Sequence, residues 1–126
     1  MKTEHFLGLR TAIYPVKDVA AAKAWYARAF GVEPYFDQPF YVGFNVGGFE
    51  LGLMPAEGHS QPGLGGSGVY WGVESAEKSL ARLLELGATT LSEVQDVGEG
   101  IKTATVKDPF GNALGLIENP HFPSKA

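Results

Sequence analysis

The chain carries two copies of one segment plan, and this internal repeat limits its fold more than any other feature. Each copy reads as an apolar strand, a break and a helix, first in residues 12–32 and again in residues 69–89. Val16 aligns with Val73, which sets the strands and helix starts of the two copies at an offset of 57 residues. Two matching units in one short chain predict a fold made of two similar halves.

The two predicted helices have recognisable ends. Asp18 and Ser75 precede them, and their side-chain oxygens can accept hydrogen bonds from the free amides of a first helical turn. Gly31 and Gly87 follow them, as glycine does at many helix C-termini. Apolar residues at helical spacing predict two buried stripes, which are Ala22, Trp25, Tyr26, Ala29 and Phe30 in the first helix and Ala76, Leu80, Leu83 and Leu84 in the second.

Three β-like stretches follow each predicted helix, so both halves read βαβββ. The stretches are residues 34–37, 40–46 and 49–54 in the first half and residues 89–94, 101–107 and 113–118 in the second. We expect a single domain with a first module at about 7–56, a glycine-rich linker at 57–67, a second module at about 68–119 and a tail at 120–126.

The last predicted strand of each half has a glycine at its centre. Leu51-Gly52-Leu53-Met54 in the first half corresponds to Leu114-Gly115-Leu116-Ile117 in the second. Glycine in a strand interior packs no side chain and loses the most backbone entropy. Its recurrence at matching positions therefore raises the question of what an ordinary side chain would do there.

Two βαβββ halves with the turn DPFGN before the last strand resemble the vicinal oxygen chelate superfamily, which includes glyoxalase I, bleomycin-resistance proteins and extradiol dioxygenases. The resemblance covers residues 7–119, and its best motifs are VKDVAAAKAWYARAFGV and VKDPFGNALGLIE. It implies an α+β fold in which two βαβββ modules form curved mixed sheets around a cavity, with helices on the outer face.

The resemblance also implies where a metal ion would be held in a catalytic relative, by His, Glu or Gln side chains. The four corresponding positions in this chain are Thr11, Gly52, Gly68 and Gly115. They offer one hydroxyl group and no other side-chain donor, whereas protein zinc sites use three or four imidazole, carboxylate or thiolate ligands. We therefore expect no metal ion and no other cofactor at this location.

Other catalytic arrangements are not evident in the sequence. Asp108 opens a turn that has proline and glycine at favoured positions, so we interpret it as a turn former rather than a catalytic acid. His5, His59 and His121 are far apart in the sequence, so we expect them to lie at the surface rather than to bind a metal ion. The chain has no cysteine, which excludes disulfides and thiolate chemistry.

Strand parity predicts which residues face the cavity, since alternate residues of a strand point to the same side. The predicted cavity residues are Thr11, Ile13, Tyr41, Asn45, Glu50, Gly52, Met54, Gly68, Tyr70, Gly115 and Ile117. The opposite parity is uniformly apolar, as a helix-covered face should be: Phe49, Leu51, Leu53, Val69, Trp71, Val73, Leu114 and Leu116.

Two cavity residues allow alternative interpretations. The Glu50 carboxylate in a partly apolar cavity would meet a cation, accept hydrogen bonds or have a raised pKa, unless it reaches solvent at the strand start. Tyr70 would either stack on a planar ligand or fill the cavity.

Composition limits the partners. The net charge is −4 and the Lys and Arg residues are scattered, which disfavours nucleic acid and anionic membrane surfaces. No apolar run approaches the roughly 18 residues of a membrane span, and the first ten residues lack a signal-like apolar segment. We expect a cytoplasmic protein, and the resemblance implies a homodimer.

The leading hypothesis is a metal-free small-molecule-binding protein of the glyoxalase/bleomycin-resistance type that sequesters an aromatic or cationic compound. The alternative is a superfamily enzyme, lyase, isomerase or dioxygenase-like, that uses a displaced metal site or Glu50 as a general base. A third hypothesis is a subunit or regulatory module whose cavity is merely packed.

Overall fold

The computed structural model describes residues 9–58, 60–64 and 68–121, and these contain two helices and eight strands. The first half comprises β1 (Thr11–Val16), α1 (Val19–Phe30), β2 (Phe36–Gln38), β3 (Tyr41–Val46) and β4 (Phe49–Pro55). The second half comprises β5 (Tyr70–Gly72), α2 (Ala76–Glu85), β6 (Thr89–Gly98), β7 (Ile101–Lys107) and β8 (Ala113–Glu118). The βαβββ reading of both halves is confirmed.

Each half forms an open four-stranded mixed sheet. The strand order is β1-β4-β3-β2 in the first sheet and β5-β8-β7-β6 in the second. The first strand of each half runs parallel to the last strand of that half, and the other neighbours are antiparallel. This is the predicted α+β architecture of two βαβββ modules.

The helix ends follow the sequence signals with one shift. Asp18 accepts a hydrogen bond from the Ala21 amide at 3.0 Å, and Ser75 accepts one from the Lys78 amide at 3.2 Å. Gly31 ends α1 in the left-handed conformation with a φ of 68°. In α2, the C-cap is Leu86. Gly87 is the next residue and has a φ of 105°.

The predicted burial was wrong for one residue of the helical stripes. Leu84 is 40% exposed, whereas Leu83 beside it is buried in the core. Successive residues of a helix differ by roughly 100° in direction, and in α2 the buried side is centred on Leu80 and Leu83, so Leu84 lies at its margin.

One apolar core joins the two halves, and the predicted parity is confirmed for the leucines of β4 and β8. Leu51, Leu53, Leu114 and Leu116 are buried under the helices, so the central glycines of β4 and β8 lie on the opposite, inner faces of the sheets. The seam between the halves also contains polar contacts. The Trp71 indole donates to the Tyr14 hydroxyl at 3.0 Å.

Asp108 is a turn former, as the sequence indicates, and it is also a buried link between the halves. It is 1% exposed, and its Oδ1 accepts hydrogen bonds from the amides of Phe110 and Asn112. Its Oδ2 accepts a hydrogen bond of 2.5 Å from the Tyr26 hydroxyl on α1. No local signal in the sequence indicates this second role, because the partners are 82 residues apart.

Candidate functional site

The inner face of the first sheet carries a carboxylate held by hydroxyl groups. Glu50 lies opposite Thr11 in the β1–β4 register, and the Thr11 hydroxyl donates to Glu50 Oε1 at 2.6 Å. The Tyr35 hydroxyl, from the loop after α1, donates to Oε2 at 2.5 Å. The Tyr41 hydroxyl on β3 also donates to this carboxylate. Three elements of the first half therefore converge on Glu50.

These hydrogen bonds keep the carboxylate ionised. Burial pulls the pKa of Glu50 upward, but the hydrogen bonds from Thr11, Tyr35 and Tyr41 outweigh burial and hold the pKa below its usual value. The reciprocal effect appears on a donor: burial, together with the charge and hydrogen bond of Glu50, raises the pKa of Tyr41 to about 12. The ordinary state of this cluster is a carboxylate surrounded by neutral hydroxyl groups.

Exposed aromatic rings flank the carboxylate. Tyr35 is 66% exposed, and the Phe36 ring lies 6.1 Å from the Phe40 ring and 6.1 Å from the Tyr41 ring. Tyr35, Phe36 and Phe40 were absent from the predicted cavity residues. The signal that could have found them is the aromatic density of the segment PYFDQPFY, four rings in eight residues beside an edge strand.

The central glycines of β4 and β8 are explained by tyrosine rings that lie over them. A Cβ atom at Gly52 would collide with the ring and hydroxyl of Tyr41. A Cβ atom at Gly115 would lie 2.5 Å from the carbonyl oxygen of Val69 and 2.6 Å from the ring of Tyr70. In both sheets, glycine provides the space in which an aromatic side chain from a neighbouring strand rests.

The four positions that correspond to metal ligands in catalytic relatives do not fit a divalent ion. Gly52 and Gly115 supply no donor and are covered by rings, and Thr11 already donates its hydroxyl hydrogen to Glu50. Gly68 supplies no side chain. Across residues 9–58, 60–64 and 68–121, no group of three or more His, Asp or Glu side chains could hold a metal ion.

Two cavities lie beside these residues. The larger, of about 1080 Å³, is mostly apolar and is lined by Glu50 and Tyr70. Phe49 and Trp71, which we expected on the helix-covered face, also line this cavity. The smaller, of about 400 Å³, lies at the seam between the halves, where Ile13 faces it from β1 and Tyr70 from β5. Tyr70 therefore forms a wall that both cavities share.

The structure distributes the predicted cavity residues over these places. Thr11, Tyr41, Glu50 and Gly52 lie together on the first sheet, Ile13, Gly68, Tyr70 and Gly115 line the smaller cavity, and Ile117 lines the larger one. Asn45 lies opposite Glu50 in the β3–β4 register, but it is exposed and its side-chain oxygen accepts a hydrogen bond from the Gly48 amide in the β3–β4 turn. Met54 lies further along β4, opposite Pro15.

The histidines do not join the site as far as the structure describes them. His121 is exposed at the surface, where its ring nitrogen lies 2.7 Å from the Glu99 carbonyl oxygen. This agrees with the surface position that we expected. His5 and His59 lie outside the described residues.

The family comparison agrees with the architecture. The model of the Glyoxalase/Bleomycin resistance protein/Dioxygenase superfamily matches residues 4–116. The chain belongs to this superfamily. The resemblance inferred from the DPFGN turn and the repeat is thereby confirmed. A comparison with curated proteins found no match.

Several solved structures share the glyoxalase-superfamily fold of this chain. It is similar to a glyoxalase-related enzyme from Fulvimarina pelagi, with 20% identity and a TM-score of 0.77 over 96% of each chain. It is also similar to lactoylglutathione lyase from Agrobacterium tumefaciens, with 18% identity and a TM-score of 0.72 over 94% of this chain and 100% of that one. A third is TioX from Micromonospora sp. ML1, with 18% identity and a TM-score of 0.70 over 88% and 98% of the two chains. At these identities the likeness shows the fold alone.

The described residues form two helices, α1 and α2. Neither helix is long and apolar enough to cross a membrane. The homodimer and the cytoplasmic location stay predictions.

Proposed function

We propose that this protein binds small organic cations with an aromatic or apolar body, without a metal ion and without converting them chemically. The observation that carries the proposal is the Glu50 carboxylate, held ionised beside exposed aromatic rings on the inner face of the first sheet.

The charge of Glu50 is available for a ligand. Hydroxyl groups donate hydrogen bonds but carry no charge, so Thr11, Tyr35 and Tyr41 orient the carboxylate and leave its negative charge in place. A cationic group near Oε1 or Oε2 would gain a direct electrostatic attraction. An anion close to these two oxygens would meet electrostatic repulsion.

The aromatic and apolar surroundings favour an organic cation over a small inorganic one. The faces of tyrosine and phenylalanine rings attract cations, by about 0.5–2 kcal/mol for each favourable pair. The Tyr35 and Tyr41 rings lie beside the carboxylate, and the Phe36 ring lies 6.1 Å from the Tyr41 ring. The larger cavity adds apolar area for the body of the ligand, with Phe49 and Trp71 in its wall.

The enzyme hypothesis, with Glu50 as general base, has weaker support. A carboxylate whose pKa lies below its usual value is a poorer base than an ordinary one, because proton transfer to it is less favourable. Both oxygens of Glu50 also accept hydrogen bonds already. These features suit a fixed negative charge that attracts a ligand.

Calorimetric titration with three probes of similar size tests the proposal: benzyltrimethylammonium, neutral benzyl alcohol and anionic benzoate. We expect the cation to bind at least about tenfold more tightly than the other two, which corresponds to the strength of one such cation–aromatic contact. Glu50→Gln should remove most of that preference while keeping the shape of the site.

Glu33→Gln is the matched control, because Glu33 is an exposed carboxylate in the loop after α1 and has no place in the cluster. It should bind the three probes like the unmodified protein. Equal affinity for benzyltrimethylammonium and benzyl alcohol, or an unchanged preference in Glu50→Gln, would refute the proposal.

A further inference from the structure

The smaller cavity differs in chemical character from the surroundings of Glu50. Its volume of about 400 Å³ lies within the usual range for small-molecule sites. None of the described residues that line it carries a charge. The cavity therefore offers no counter-ion to a charged ligand, whereas an uncharged group can enter it without leaving an ion unpaired.

Tyr70 forms an aromatic platform at the edge of this cavity. The residue is opposite Gly115 in the β5–β8 register, and its ring rests in the space left by the missing Cβ atom. The ring is thus supported from the sheet side, yet Tyr70 remains 51% exposed. A ring that is held from one side and open on the other is suited to stacking with a second ring.

Polar side chains line this cavity, among them the hydroxyl groups of Tyr70 and Thr105 and the amides of Gln61 and Asn112. Within the described residues, the Tyr70 hydroxyl has no hydrogen-bond partner, in contrast to Tyr41, whose hydroxyl donates to Glu50. Thr105, the β7 neighbour of Gly115, also lines the cavity. A planar group with a hydroxyl or amide at its edge could bond to either side chain.

We propose that this cavity is a second binding site, which holds an uncharged planar aromatic group stacked on the Tyr70 ring. The inference deepens the proposed function, on which it rests for the idea that this protein binds small molecules. It depends on different residues, however. Because Tyr70 also lines the larger cavity, the two sites adjoin, and one ligand with a cationic end and a flat neutral end could occupy both.

The test uses 2-naphthol, a neutral planar probe with one hydroxyl group, titrated into the full chain. Calorimetry gives the affinity, and amide chemical shifts of the ¹⁵N-labelled protein give the location. We expect the largest shifts at Gly68, Thr105 and Gly115. Tyr70→Ala should raise the Kd about tenfold, and Tyr70→Phe, which keeps the ring, should change it by less than about threefold.

Two further variants make the result specific. Leu84→Ala removes an exposed apolar side chain from the outer face of α2 and should bind 2-naphthol like the unmodified protein. Glu50→Gln should weaken benzyltrimethylammonium binding while leaving 2-naphthol binding within about twofold. Failure of the cation experiment would therefore be distinguishable from failure of this one.

The inference is overturned if the unmodified protein does not bind 2-naphthol, or if the shifts centre on Gly43 and Gly52 instead. Equal binding by Tyr70→Ala would also overturn it, provided that circular dichroism shows a folded protein. Should that variant fail to fold, the location of the shifts in the unmodified protein decides the question alone.

Discussion

The two sheets cover their central glycines from opposite neighbours. In the first sheet, the ring over Gly52 comes from Tyr41 on β3, which is an antiparallel neighbour of β4. In the second sheet, the ring over Gly115 comes from Tyr70 on β5, the parallel neighbour of β8. In the first half, the residue that corresponds to Tyr70 is Ile13, which lies opposite Gly52 on β1. Ile13 is aliphatic and 50% exposed.

The residues near the central glycines are a second chemical difference between the halves. Two residues before Gly52 stands Glu50, whose carboxylate accepts a hydrogen bond from Tyr41. Two residues before Gly115 stands Ala113, which has no polar side chain. The repeat therefore preserves backbone pairing and the place of the glycine, while the inner faces present a charged cluster in one half and a neutral platform in the other.

The largest expected difference between the halves lies in the turns before these strands. Asp108 and Asn45 each stand seven residues before a central glycine. Asp108→Ala should lower the free energy of unfolding by at least about 3 kcal/mol, because it leaves the Tyr26 hydroxyl and two amides without their buried acceptor. Asn45→Ala should cost about 1 kcal/mol or less, since its single hydrogen bond is exposed.

Urea-induced unfolding measures both changes, and Tyr26→Phe separates the two roles of Asp108. This variant removes only the hydroxyl bond and should lose less than Asp108→Ala. Equal losses in Asp108→Ala and Asn45→Ala would mean that the buried link between the halves contributes no more than the exposed hydrogen bond of Asn45.

The next effect tests how each glycine is covered. Gly115→Ala should cost about 2–3 kcal/mol, because its Cβ would lie 2.5 Å from the Val69 carbonyl oxygen, a backbone atom that cannot move freely. Gly52→Ala should cost about 1–2 kcal/mol, because the three atoms nearest to its Cβ all belong to the Tyr41 side chain. Denaturant unfolding gives both values.

Double variants sharpen this contrast. Tyr41→Ala should cancel most of the added cost of Gly52→Ala, whereas Tyr70→Ala should leave much of the cost of Gly115→Ala, since the carbonyl contact remains. Gly72→Ala is the control, because no atom lies within 4 Å of its Cβ position, and its effect should stay within about 0.5 kcal/mol. If Tyr41→Ala and Tyr70→Ala both cancelled the cost of their glycine substitutions, the proposed difference between the two glycine sites would be wrong.

Local signals in the sequence predicted much of this structure. The caps at Asp18 and Ser75, the strand alternation and the turn at Asp108 depend on neighbours a few residues away, so the sequence displays them directly. Parity also placed Glu50 on the inner face.

What the sequence could not predict depends on contacts between distant residues. The three hydroxyl donors to Glu50 come from β1, β3 and the loop after α1, and the Tyr26–Asp108 bond spans 82 residues. The reason for the central glycine of β4 also depends on a contact between distant residues. Resemblance identified Gly52 as a ligand position, but the ring that occupies the space became evident only from the packing of β3 against β4.

The smallest effect concerns the titration of the charged half. Glu50→Gln removes the negative charge beside Tyr41 and leaves one amide oxygen as an acceptor, so the pKa of Tyr41 should fall from about 12 part of the way towards 10, with burial retaining the rest of the shift. Tyrosinate absorbance measured against pH reports this change. Glu33→Gln, the exposed control, should leave the Tyr41 pKa unchanged.

The same variant should alter how stability depends on pH. Because the pKa of Glu50 is lowered in the folded protein, its contribution is present above the ordinary value of 4.5 and is lost as pH falls through the lowered folded value. Tyr41 has a raised pKa, so its contribution is full below pH 10 and is lost as pH rises through about 12. The difference in unfolding free energy between the unmodified protein and Glu50→Gln should therefore shrink at both extremes. A difference that stays constant from acid to alkali would show that neither the lowered pKa of Glu50 nor the raised pKa of Tyr41 depends on their interaction, which would contradict a coupled charged cluster in the first half.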